Sequence, residues 1–133
     1  MAQYIRTLPM QAFVMDYDHN APTPEHLERT HEAFFRTIRE ACPDLPILLV
    51  SRPSPYKDDD NRARFAVIRR TYENARKNGD RNVYLFDGAD FFAEAAAVND
   101  PTVDLVHPTD LGFYLMAQAL APCLKAVLCK ETD

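Results

Sequence analysis

Leu45-Pro46-Ile47-Leu48-Leu49-Val50-Ser51-Arg52-Pro53-Ser54-Pro55 is the stretch whose reading decides the fold. The apolar run after Pro46 shows no polar alternation, which is the pattern of a strand covered on both faces, and it ends in a proline-rich loop. Two other stretches repeat the arrangement. Ala12-Phe13-Val14-Met15 stops at the polar cluster Asp16-Tyr17-Asp18-His19-Asn20, and Val83-Tyr84-Leu85-Phe86 stops at Asp87-Gly88. Each strand therefore delivers polar residues at its C-terminal end, where ligands bind in open α/β sheets.

The intervening segments have helical periodicity. Thr23 is a natural N-cap, Pro24 fits the first helical position, and Glu25 lies near the positive end of the dipole. Leu27, His31, Phe34, Phe35, Ile38 and Cys42 then share one face, and Pro43 ends the helix. His26 and His31 read as helix-surface or boundary residues. A second helix follows the acidic start Asp58-Asp59-Asp60-Asn61, which reads as solvated. Its apolar stripe is Phe65, Ile68, Tyr72 and Ala75, and Asn78-Gly79 closes it with a left-handed cap. After the third strand come an Ala-rich helix around residues 90–98 and a last amphipathic helix from Phe113 to Leu128, which Pro122 should kink or split. Residues 1–11 read as a connection or lead-in.

Strand and helix alternate throughout, which predicts a parallel sheet with helices packed on it, in a single domain spanning residues 1–133. Three strands are few for a doubly wound fold, so one side of the sheet is short of neighbours.

The 133 residues carry a net charge of -5 and basic residues scattered among acidic ones, which gives no electrostatic footprint for nucleic acid or a membrane surface. No apolar run approaches the roughly 20 residues of a membrane span, and Met1 to Met10 lack the layout of a signal peptide. Cys42, Cys123 and Cys129 are odd in number and widely spaced, which indicates neither a disulfide framework nor a zinc site. A cytoplasmic protein without cofactor is the expectation.

The chemistry-bearing stretch is Val103-Asp104-Leu105-Val106-His107-Pro108-Thr109-Asp110-Leu111-Gly112-Phe113. Pro108 disfavours the helical conformation at His107, so a carboxylate and an imidazole three residues apart sit on a constrained loop leading into a helix. An Asp–His relay needs that arrangement, with the carboxylate fixing the tautomer and the second ring nitrogen free to accept a proton. A turn-capping Asp104 beside a satisfied polar His107 fits the same spacing.

Together with the strand ends Asp16-Tyr17-Asp18-His19-Asn20-Ala21-Pro22 and Val50-Ser51-Arg52-Pro53, this D-x-x-H-P stretch resembles the later blocks of the SGNH, or GDSL-type, hydrolases. The resemblance implies a flavodoxin-like, three-layer α/β/α fold and an esterase acting on a small-molecule ester. It also implies that Asn20 is the oxyanion-hole asparagine, Asp104 the orienting acid and His107 the general base. Two departures stand out. Asp18 occupies the place of the family's glycine two residues before the asparagine, and there is no G-D-S or G-x-S segment, since the only serines are Ser51 and Ser54.

The resemblance thus implies that the chain begins at the family's third strand, without the block that carries the nucleophile. It would be weak or inactive alone. Ser51 lies on a strand end near Asn20 but lacks the surroundings of a nucleophile elbow. Asp16 and Asp18 could pair on a metal, but no third ligand stands at a credible spacing. Absence of the first strands would leave the edge at Ala12–Asp16 open, so a homodimer through that edge is expected. The alternative is a non-enzymatic α/β binding or assembly module whose Asp104 and His107 serve only the fold.

Overall fold

The computed structural model describes residues 1–54, 58–92 and 101–129. Three parallel strands, β1 (Phe13–Asp16), β2 (Ile47–Val50) and β3 (Val83–Phe86), form one sheet in the order β1-β2-β3. Helices α1 (Ala2–Ile5), α2 (Pro24–Ala41), α3 (Asp59–Lys77) and α4 (Asp110–Leu128) complete the chain. The expected Ala-rich helix around residues 90–98 falls largely outside the described residues.

Period-two alternation sorts the strand side chains onto two faces. Phe13, Met15, Ile47, Leu49, Val83 and Leu85 join one core with α2 and α3, whereas Val14, Leu48, Val50, Tyr84 and Phe86 join another with α4, Phe91 and Phe92. The result is the three-layer arrangement expected. All four residues of β2 are buried, each contributing about 1.5–3 kcal/mol of apolar burial, which is why its run reads as continuous.

The helix boundaries follow the caps. Thr23 Oγ1 accepts from the His26 N–H at 3.2 Å to open α2, and Asp58 Oδ1 accepts from the Asn61 N–H at 2.7 Å to open α3. Gly79, at φ +88°, closes α3 in the left-handed region.

Four expectations need correction. Residues 2–5 form a short helix whose Ala2 and Ile5 pack on the α2–α3 core, not a bare lead-in. The inner face of α3 is rotated from the apolar stripe: Arg64, Ile68, Thr71 and Ala75 are buried, and Phe65 and Tyr72 only half-buried. Pro122 does not split α4, which runs unbroken to Leu128. Both Pro122 and Gln118, whose carbonyl loses its partner, are exposed, so water can satisfy the freed acceptor.

The fourth correction concerns His31, which is fully buried and not a boundary residue. Its Nδ1 shares a 2.9 Å hydrogen bond with Thr71 Oγ1, tying α2 to α3, and its ring stacks on Tyr17 at 6.4 Å. Nε2 is buried with no partner among the described residues. Burial pushes the imidazole down from 6.5 to about 4.

That depression fixes a pH dependence. Above pH 6.5 the imidazole is neutral whether the chain is folded or not; between 6.5 and about 4 the unfolded chain takes up the proton first. Folding stability should fall by about 3 kcal/mol across that window, read as a lower urea midpoint at pH 4.5 than at pH 7. His31→Gln should flatten this part of the curve. A wild-type midpoint that does not move would contradict the assignment.

Candidate active site

In the parallel register Asp16, Val50 and Phe86 stand level, so the segments leaving the three strands lie side by side. They are a 3-10 turn at Asp18–Asn20, the loop Ser51–Ser54, and a second 3-10 turn at Gly88–Asp90. Asp18 joins the first two. Its carboxylate is wholly buried; Oδ2 accepts from the Arg52 N–H at 2.9 Å and Oδ1 from Arg64 Nη1 at 3.2 Å. The same Arg64 nitrogen donates to the carbonyls of Asp18 at 3.1 Å and Ala21 at 3.0 Å. Asp60 extends the network, accepting from Arg64 Nε at 2.9 Å and Arg52 Nη2 at 2.6 Å. Asp60 is 45 % exposed, as the solvated reading of its acidic run expects, and it also joins this charge network.

Ser51 locks the second loop to the third. It is 3 % exposed; Oγ donates to Asp87 Oδ1 at 3.3 Å and accepts from the Gly88 N–H at 2.7 Å. A Cβ on Gly88 would lie 2.2 Å from the carbonyl oxygens of Ser51 and Arg52, so only glycine allows this approach. Ser54 accepts from Asn61 Nδ2 at 2.8 Å. Neither serine has the exposed, base-activated hydroxyl of a nucleophile.

Asp104 and His107 meet on a separate, self-closed loop. The Val103 N–H donates to the His107 carbonyl at 2.8 Å, and the Thr109 N–H to the Pro101 carbonyl at 2.9 Å. Thr109 Oγ1 also donates to Pro101 O and accepts from the Gly112 N–H, capping α4. A Cβ on Gly112 would stand 2.1 Å from Pro101 O, so a glycine is needed where the helix starts against the loop. Leu105, at φ 71°, is the non-glycine residue in the left-handed region among those described. That conformation costs roughly 1–2 kcal/mol, and the surrounding hydrogen bonds hold it.

The strained turn folds the two side chains onto each other. His107 Nδ1 is 2.7 Å from Asp104 Oδ2, while Oδ1 accepts from the backbone N–H groups of His107 at 2.8 Å and Val106 at 3.1 Å. The His107 backbone N–H and then its ring hold the Asp104 carboxyl down at about 2. A carboxylate acceptor places the proton on Nδ1, which leaves the Nε2 lone pair free. The imidazole is 77 % exposed.

The expected site residues thus fall in two places. Asp104 and His107 are in direct contact. Asn20 is exposed on the turn after β1, its backbone N–H donating to Tyr17 O at 3.1 Å. That turn is pinned by Asp18 and by the Tyr17 hydroxyl, 3.0 Å from Thr30 Oγ1 on α2. A cavity of about 140 Å³ at this edge is lined by Asp18, Ser51, Arg52 and Asp87, among others, and by neither Asn20 nor His107. Among the described residues no group of three or more His, Cys, Asp or Glu side chains could hold a metal.

A family model, the GDSL-like lipase/acylhydrolase family, matches residues 1–125. No curated protein matches the chain. Among solved structures, a protein described as a GDSL-like lipase from Bacteroides ovatus superposes with a TM-score of 0.81 at 24 % identity, over 96 % of this chain and 39 % of its own. A salicylyl-acyltransferase from a tetracycline biosynthetic pathway gives 0.74 at 22 %, over 99 % and 42 %. A family two carbohydrate esterase from Clostridium thermocellum gives 0.72 at 18 %, over 94 % and 38 %. At these identities the likeness is one of fold, and the chain spans about two fifths of each of these structures.

Two measurements check the geometry. The side-chain carboxyl carbon of Asp104 should titrate in an NMR pH series with a midpoint near 2, and His107→Ala should raise it only partway to 3.8, because both backbone donors remain. Asp18→Ala removes one of the two carboxylates that face Arg64, leaving Asp60 at 2.9 Å, and frees the Arg52 N–H, and should lower stability by about 1–3 kcal/mol in chemical denaturation.

Proposed function

The chain belongs to the GDSL-like lipase/acylhydrolase family, and from that premise we propose that it carries the proton-transfer half of a serine esterase site. The observation behind this reading is the 2.7 Å contact between His107 Nδ1 and Asp104 Oδ2 beneath an exposed imidazole. His107 acts as general base through Nε2, and Asp104 fixes the tautomer and stabilises the imidazolium. The Asn20 side-chain amide donates to the oxyanion of the tetrahedral intermediate.

The substrate class is a carboxylic or carbohydrate acyl ester. Two structural neighbours are described as a salicylyl-acyltransferase and a carbohydrate esterase, which supports an acyl group as the part of the substrate that reacts. With both serines committed to the fold, the nucleophile comes from a segment outside this chain. Losing the nucleophile of a triad costs roughly 10⁶ in rate in the subtilisin example, so the 133 residues alone are weak or inactive.

The test is hydrolysis of p-nitrophenyl acetate by the chain alone and by a fusion that adds a serine-bearing G-D-S block at its N-terminus. The chain alone should stay near the buffer rate and the fusion should turn over. Within the fusion, His107→Ala should abolish turnover and Asp104→Ala should reduce it by about 10⁴, the order seen when a triad acid is removed. His107-dependent hydrolysis by the unfused chain would sink the half-site reading. A folded fusion that is inert, with stability lowered by either substitution, would favour a binding or assembly module.

A further inference from the structure

Contrary to the expectation that no apolar run approaches a membrane span, helix α4 is long and apolar enough, by length and composition, to cross one, yet only Gly112 and Val127 of its residues are buried. A helix apolar all round is ordinarily enclosed. One side is accounted for: Leu115, Met116, Ala119, Leu120, Cys123 and Leu124 pack on the sheet. The other side is a continuous exposed stripe of Leu111, Tyr114, Gln118, Ala121, Lys125 and Leu128. These positions alternate at intervals of three and four, the spacing of a helix-pairing seam.

The spacing of the stripe, and the leucine at each end, are the same in both directions. We propose that two copies of this chain pair through α4, antiparallel about a two-fold axis between Gln118 and Ala121. In that register Leu111 meets Leu128 of the second copy, Tyr114 meets Lys125, and Gln118 meets Ala121. Apolar ends face apolar ends. Lys125 faces the Tyr114 ring, a cation–π arrangement, and lies one turn from Asp110, the opposite charge in the first turn of α4.

The charges disfavour the parallel alternative, which would set Lys125 on Lys125 and Asp110 on Asp110. Antiparallel helices also oppose their dipoles favourably. Ala117 and Ala121 at the crossing point permit an axial separation near the lower end of the roughly 8–10 Å range. The register carries Leu128 of the second copy to the start of α4, beside the loop that holds His107. Each site would then be flanked by a residue of the other copy.

Two other occupants fit less well. Helices that lie on a membrane surface are rich in lysine and arginine on their polar side, whereas α4 has Lys125 alone, in a chain of net charge -5. The open edge of β1 offers a ladder of only four residues.

Sedimentation velocity at micromolar concentration should give a dimer for the wild-type chain. Ala121→Arg, at an exposed position, should give a monomer with an unchanged circular dichroism spectrum. In a Cys129→Ser background, Leu111→Cys combined with Leu128→Cys should form a disulfide-linked dimer under mild oxidation, while Leu128→Cys alone should not. A wild-type monomer overturns the proposal, as does cross-linking by the single variant. A dimer that survives Ala121→Arg places the contact elsewhere, with the β1 edge the first candidate. A monomer that binds phosphatidylcholine–phosphatidylserine vesicles, and loses that binding in Ala121→Arg, makes the occupant a lipid surface.

Discussion

A carboxylate with no exposed surface is costly unless its charge is met, and Asp18 meets it with the Arg64 guanidinium and the Arg52 backbone N–H. The pair does more than neutralise itself. Arg64 also holds the carbonyls of Asp18 and Ala21, so one cation fixes both ends of the turn that presents Asn20. Through Asp60 and Arg52 the same network reaches the loop after β2, and through Ser51 and Asp87 that loop is locked to the turn after β3. Because the strands are parallel and level, short contacts from Asp18 and Ser51 link the segments that leave all three strands.

The Asp104–His107 loop obeys a different logic. Several of its hydrogen bonds run within the loop, its strained residue is Leu105, and it meets the helix behind it through the Thr109 cap and the close approach to Gly112. The acid–base pair is therefore set by local backbone geometry, whereas the amide donor on the β1 turn depends on a network spanning two loops and α3. The proposed function draws on both, and the contacts that hold one are not those that hold the other.

What could be read in the sequence follows the same division. The strands were legible because a strand buried on both faces has no alternative to a continuous apolar run, and the helix starts because Thr23 and Asp58 are capping residues with few other uses there. The Asp104–His107 contact was legible because both partners lie within three residues. Asp18 was not. Its identity looked like a departure from a glycine, and its partner lies on a helix more than forty residues later. The available signal was Arg64 itself, which shares the 64, 68, 71, 75 spacing of the buried face of α3 and is out of place there unless paired. His31 is hard to read for a related reason: it stands on the apolar face of α2, but a polar ring is at home there only with a partner such as Thr71, forty residues away.

The closed form of the 101–109 loop bears on how substitutions elsewhere would register. Weakening the sheet or the α2–α3 core changes how many molecules are folded at a given moment. It leaves untouched the angle at which the carboxylate grips the ring in those that are. Genetic variation across most of the chain would thus alter yield and lifetime, whereas the region from Pro101 to Gly112 holds the contacts that set how the carboxylate meets the ring.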